Sequence, residues 1–165
     1  MTQKDNLEFY AVQHFVAQYN RTHRRRLYFL RACSPPMPDT LCKLNQQQIG
    51  IEVVHTYGTG VEAALRLGNR EIADFSNNTH QQRRITALDI RALNSLAKVL
   101  AEKATRTYDF APTWLLIRNG FAPWSLSDYR KRRAQIHVPD SHPFSQIWFL
   151  CDRNSVGSPG IMRLA

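Results

Sequence analysis

Ile49-Gly50-Ile51-Glu52-Val53-Val54 decides how this chain is read. Its β-branched residues mark a strand, yet a charge sits in the middle of it. Burying a carboxylate costs several kcal/mol unless it is paired or bound to a metal. Side chains alternate along a strand, so Gly50, Glu52 and Val54 share one face while Ile49, Ile51, Val53 and His55 share the other. An edge-strand Glu facing solvent needs no partner. Asp39 supplies a second reading: it follows Pro38, whose ring fixes the local backbone, and it opens a short strand over residues 39–44. With residues 45–48 as the hairpin connection, the two carboxylates lie side by side.

Upstream of this hairpin, residues 27–32 read as another strand, separated by Ser34-Pro35-Pro36-Met37-Pro38, which prevents regular pairing. Residues 7–19 place Leu7, Tyr10, Ala11, His14, Phe15 and Gln18 on one helical face, and a basic turn over 20–26 ends that helix. Downstream, residues 61–67 read as a short helix and 74–84 as a mobile polar loop. Residues 86–108 form the longest periodic segment, with Leu88, Leu93, Leu96, Val99 and Leu100 as its stripe and Pro112 as its stop. Trp114–Ile117 and Ile147–Cys151 are short apolar runs without alternation, as strands covered on both faces require. Residues 127–133 read as a short basic helix and 161–164 as a last edge strand. This order predicts an α/β fold with a mixed central β-sheet flanked by helices, in one domain over residues 1–165. The link from Val54 through the long helix to Trp114 is a right-handed crossover if those strands run parallel.

Composition narrows the function. The chain has 165 residues, 43% of them apolar and 21% charged, which excludes wholesale disorder. No stretch is apolar for long enough to cross a bilayer, and the first residues lack an apolar signal core. Lys and Arg number 22 against 13 Asp and Glu, a net charge of +9 that points to a polyanionic partner, most often nucleic acid. Three cysteines without metal-site spacing suit neither a disulfide framework nor a cysteine zinc site, and a reducing, cytoplasmic setting fits them. Tyr57-Gly58-Thr59-Gly60 lacks the ending of a phosphate loop. No Ser sits in a nucleophile elbow.

Convergent carboxylates in a basic protein repel each other unless a cation lies between them. Oxygen ligands of this kind suit Mg²⁺ or Mn²⁺, and such an ion activates water against a phosphodiester. At this point the chain resembles a known family. Pro38-Asp39 followed by Ile49-Gly50-Ile51-Glu52-Val53 is similar to the restriction-endonuclease-like superfamily, whose signature is Pro-Asp, a spacer, then Asp/Glu-x-Lys. Leu100-x-x-Lys103-x-x-Arg106-x-Tyr108, followed by Trp114-Leu115-Leu116-Ile117, resembles the helix and strand that follow the active-site hairpin in several bacterial members. The resemblance implies a restriction-endonuclease-like sheet and magnesium-dependent phosphodiester cleavage, with DNA ahead of RNA as substrate.

The signature's Lys falls on Val54 here. In some members that Lys has moved to the neighbouring helix, and this chain offers Lys98 and Lys103. Lys98 lies on the polar side, whereas Lys103 continues the row Leu93, Leu96, Leu100. The resemblance therefore implies Asp39 and Glu52 as catalytic metal ligands and Lys103 as the catalytic cation. Glu8, an acidic residue on the first helix, is a further metal-ligand candidate. Arg24, Arg25 and Arg26, and Arg130, Lys131, Arg132 and Arg133, are dense enough to contact phosphates. Trp124 and Tyr129 lie near the second run, either stacking on bases or packing internally. The reading is a metal-dependent nuclease using Mg²⁺ or Mn²⁺. Two alternatives stay open on the same fold: a catalytically inactive nucleic-acid-binding module, and an accessory subunit of a bacterial defence or mobile-element system. A homodimer or a larger bacterial complex is compatible with any of these.

Overall fold

Helix α1 (Gln3–His23) opens the chain, and strands β1 (Leu27–Ala32), β2 (Thr40–Leu44) and β3 (Gln47–Thr56) follow it. Helix α2 (Arg84–Ala104), strand β4 (Thr113–Asn119), the short helix α3 (Leu126–Lys131) and a 3₁₀ turn (Arg133–Gln135) come next. Strands β5 (Gln146–Cys151) and β6 (Gly160–Arg163) complete the order. The computed structural model describes residues 3–56, 84–120, 124–152 and 158–165. The helix expected over 61–67 and most of the loop expected over 74–84 lie outside the described residues.

The six strands form one mixed sheet in the order β1-β2-β3-β4-β5-β6. Pairing is antiparallel for β1–β2, β2–β3 and β5–β6, and parallel for β3–β4 and β4–β5. The expected α/β class with a mixed central sheet is what the structure has. Every residue of β4 is buried, as its unbroken apolar run requires. Each sheet face carries its own core. Ala11, Val12, Phe15 and Tyr19 of α1 pack on Ile49, Ile51, Val53, Trp114, Leu116 and Trp148. On the other face, Ala92, Leu96, Val99 and Leu100 of α2, with Leu126 and Tyr129 of α3, pack on Leu115, Ile117, Ile147 and Phe149.

Several boundaries differ from the sequence reading. The first helix runs on to His23, and Arg24 adopts a positive φ of 51°, a left-handed ending. Its buried face is Ala11, Val12, Phe15 and Tyr19, so Tyr10 is turned out and exposed. The hairpin connection is only Asn45-Gln46. Asn45 takes φ 54°, which its short polar side chain tolerates, and Gln47 already pairs with Leu44. The long helix stops at Ala104, well before Pro112. There Thr105 Oγ1 donates to Glu102 O at 3.0 Å and Arg106 N–H donates to Lys103 O at 3.2 Å, closing the last turn locally. Trp124 and Tyr129 are both buried and contact each other with ring centroids 4.9 Å apart, so they are core residues and not stacking platforms.

Candidate active site

Gly50, Glu52 and Val54 of β3 face α2, because Ile49, Ile51 and Val53 are committed to the core beneath α1. Gly50 has no side chain for a reason. A Cβ there would lie 2.5 Å from Pro38 Cγ and 2.9 Å from Thr113 Oγ1. Pro38 therefore seats directly on β3 and fixes the entry into β2. Thr40 pairs with Ile51, so the preceding Asp39 comes opposite Glu52. Asp39 Oδ2 accepts a hydrogen bond from Val53 N–H at 2.8 Å, which pins the carboxylate against the hairpin.

Lys103, in the last turn of α2, donates from Nζ to Glu52 Oε1 at 2.6 Å. Its side chain is 22% exposed and that of Glu52 only 11%. A charge inside an apolar strand thus has its partner on the helix that covers it. The row Leu96, Leu100, Lys103 carries that ammonium to the sheet. Lys98 points away, 76% exposed, in an i,i+4 pair with Glu102 at 3.8 Å.

The electrostatics show strain among the acids. Asp39 has its pKa raised to about 6, first by burial and then by the charge of Glu52, with a smaller contribution from Glu8. The Val53 hydrogen bond and Lys103 act in the opposite direction. Glu8 reaches this neighbourhood from α1 and lines, with Phe9, Cys33 and Asp39, a cavity of about 240 Å³. Tyr108, just past α2, has its hydroxyl buried. Burial and then the Glu52 charge push its pKa well above the ordinary value. The hydroxyl makes no hydrogen bond with the described residues, and the nearby Glu52 charge acts on it through space. It therefore stays protonated near the carboxylate. Tyr108 was legible only as part of the motif after Lys103, since a lone Tyr beyond a helix end carries no signal of its own.

The donor set suits a hard divalent cation. Two carboxylates that repel each other, one with its pKa lifted, gain from a positive ion between them. Mg²⁺ commonly takes one or two carboxylates and retains water for its other positions. No cluster of three or more His, Cys, Asp or Glu side chains forms a metal cage among the described residues. Glu8 lies near the pair, its charge acting on Asp39 and its side chain lining the same cavity. Two of the three cysteines offer no alternative chemistry: burial pushes both Cys42 and Cys151 up to about 12, leaving them protonated.

The basic runs divide. Arg24, Arg25 and Arg26 are exposed in the connection between α1 and β1. In the second run Arg130 and Lys131 are exposed and Arg132 and Arg133 half-buried, and each arginine also makes a contact within the fold. Arg130 Nη2 donates to Ile161 O at 3.3 Å, and Arg133 Nη2 donates to Leu164 O at 2.6 Å. The Arg132 guanidinium lies 4.5 Å from the centroid of the Trp124 ring. No family model, curated protein or solved structure matches the chain. Among the described residues no helix is long and apolar enough to cross a membrane.

Proposed function

We propose that the protein is a metal-dependent nuclease of restriction-endonuclease-like fold that hydrolyses phosphodiester bonds, with DNA ahead of RNA as substrate. One observation carries this reading: Lys103 delivers an ammonium to Glu52 from the covering helix, at 2.6 Å, beside Asp39 across the hairpin. The position two residues beyond Glu52 is Val54, so the helix supplies the cation that the strand lacks.

In this reading Asp39 and Glu52 are the residues that hold Mg²⁺ or Mn²⁺. When bound, such an ion would supply an acidified water and offset charge on the phosphate. Lys103 would donate to a non-bridging phosphate oxygen, where charge grows as the water oxygen, losing its proton to solvent, bonds to phosphorus and the ester P–O bond breaks, the leaving oxygen taking a proton from solvent. Tyr108 lies near the same carboxylate with its hydroxyl held protonated and without a hydrogen-bond partner among the described residues, so it is available to a bound substrate. The net charge of +9 supports a polyanionic substrate, and three free cysteines suit a reducing, cytoplasmic setting.

A second reading rests on a specific feature. The Lys103–Glu52 pair already neutralises half of the carboxylate charge, so the fold stands without an ion, as an inactive nucleic-acid-binding module would. Incubation with plasmid, single-stranded DNA and RNA separates the two, each with Mg²⁺, with Mn²⁺ and with chelator. Metal-dependent shortening of any substrate supports the nuclease. Binding without shortening, in both metals, supports the inactive module.

A further inference from the structure

The two basic runs are far apart in the sequence, yet one member of each lines the same cleft. Arg25 follows α1 and Arg130 ends α3, and both open on a cleft of about 570 Å³ at the β5–β6 edge. His23 and Arg163 join them there. A neighbouring cleft of about 320 Å³ shares Thr22, Arg130 and Ile161 with the first and adds Arg21. No described residue lining either cleft is Asp or Glu. In a chain that carries 13 acidic residues, the described lining of both clefts is thus basic or neutral, which favours an anion.

The four cations lining the two clefts, Arg21, Arg25, Arg130 and Arg163, are all arginines, whose planar forks bind phosphate oxygens in pairs. Their protein contacts hold them in place without using up their donors. Arg21 Nη2 donates to Gln18 Oε1 at 2.7 Å, Arg130 Nη2 to Ile161 O at 3.3 Å, and Arg163 Nε to Ala165 O at 2.7 Å. Each guanidinium has five N–H groups. The wall of the cleft is aromatic. The exposed His23 ring stacks on Tyr19 at 4.4 Å between centroids and meets Trp148 edge-on at 5.4 Å, which fixes its plane.

We propose that this cleft is a docking groove for a single nucleic-acid strand, held by its phosphates and with a base against His23. Cations flanking a concave, aromatic-walled channel are what a single strand requires. A duplex, which presents its phosphates on a convex surface and hides its base faces, does not use the stacking wall. The groove is separate from the carboxylates. Glu52 lies on β3, three strands from β6 and so about 14 Å across the sheet, and it faces α2, whereas Tyr19 and Trp148 belong to the core beneath α1. The proposal does not depend on hydrolysis.

Fluorescence anisotropy with a short fluorescein-labelled oligothymidylate, on the full chain and in chelator, tests it whatever the carboxylates do. Wild-type affinity should fall with salt by about 0.7 log units per log unit for each phosphate neutralised. The Arg21→Glu, Arg25→Glu double variant changes exposed positions. It should lose at least tenfold in affinity and flatten the slope by about 1.4. His23→Ala should weaken binding about tenfold by removing the stacking face. Lys98→Glu, on the exposed side of α2, should change neither. The proposal is overturned by any of four results: no binding at low salt, unchanged affinity in the double variant, a duplex of equal length bound more tightly, or displacement by polyglutamate at equal charge. Melting curves of each variant establish that the loss is not unfolding.

Discussion

Asp39 sits between opposing influences, and its pKa of about 6 makes them measurable. The ordinary carboxyl value is 3.8. Between that value and about 6 the folded chain keeps a proton that the unfolded chain has released, so stability falls as pH rises across this window. Asp39→Asn removes the dependence. The drop in unfolding free energy from pH 4 to pH 7, read from urea titrations, should shrink by an amount on the order of 1–2 kcal/mol once solvent screening is allowed for. Mg²⁺ should raise the wild-type melting temperature more at pH 8 than at pH 5, and should do little for Asp39→Asn. Equal shifts in the two proteins would place the ion elsewhere. Lys103 carries the second residue-level prediction. An ammonium at the scissile phosphate is typically worth about 100- to 1,000-fold in rate, so Lys103→Ala should lose that much turnover per folded molecule. Lys98→Ala, far out on the polar face, should keep wild-type turnover. Equal losses in the two would remove Lys103 from the chemistry.

At the scale of elements, β3 works because Gly50 lets Pro38 close on it. Gly50→Ala should cost about 1–3 kcal/mol through the clash with Pro38 and Thr113, read as a lower denaturant midpoint. The β4 strand carries a different device. Arg118 makes two bonds to Asp152, at 3.0 and 2.5 Å, and reaches Leu7 O at 3.3 Å, tying α1 to the sheet. Asp152→Ala leaves that buried guanidinium unpaired and should cost about 3–5 kcal/mol. A change under 1 kcal/mol would show that solvent reaches Arg118. The hairpin, α2 and the buried strands were legible because each rests on a local signal: β-branched runs, a period of 3.6, and a Pro-Asp before a strand. The Arg118–Asp152 pair was not, since nothing near either residue announces a partner in a distant segment. The end of α2 was misplaced for a related reason. The apolar period continues through Thr107 and Tyr108, and the bonds that close the helix at Ala104 come from Thr105 and Arg106. Tyr10 misled in the opposite way, because a wide apolar stripe on α1 does not reveal which part of it meets the sheet.

For the whole molecule, the sheet divides the labour. One face and its α2 cover bring Asp39, Glu52, Lys103 and Tyr108 together. The far edge gathers Arg25, His23, Arg130 and Arg163 around a cleft. The charge of +9 was legible from composition alone, but not its arrangement, because only folding brings the α1–β1 connection against α3 and β6. On the proposed reading, Asp39 and Glu52 together make the chain a metal-dependent nuclease. The most direct measurement is plasmid cleavage by wild type, Asp39→Asn and Glu52→Gln in Mg²⁺, with each variant checked for folding by circular dichroism. The account predicts cleavage by wild type that chelator abolishes, and none by either folded variant. Full activity in either variant, or an intact plasmid with wild type in both Mg²⁺ and Mn²⁺, would contradict it.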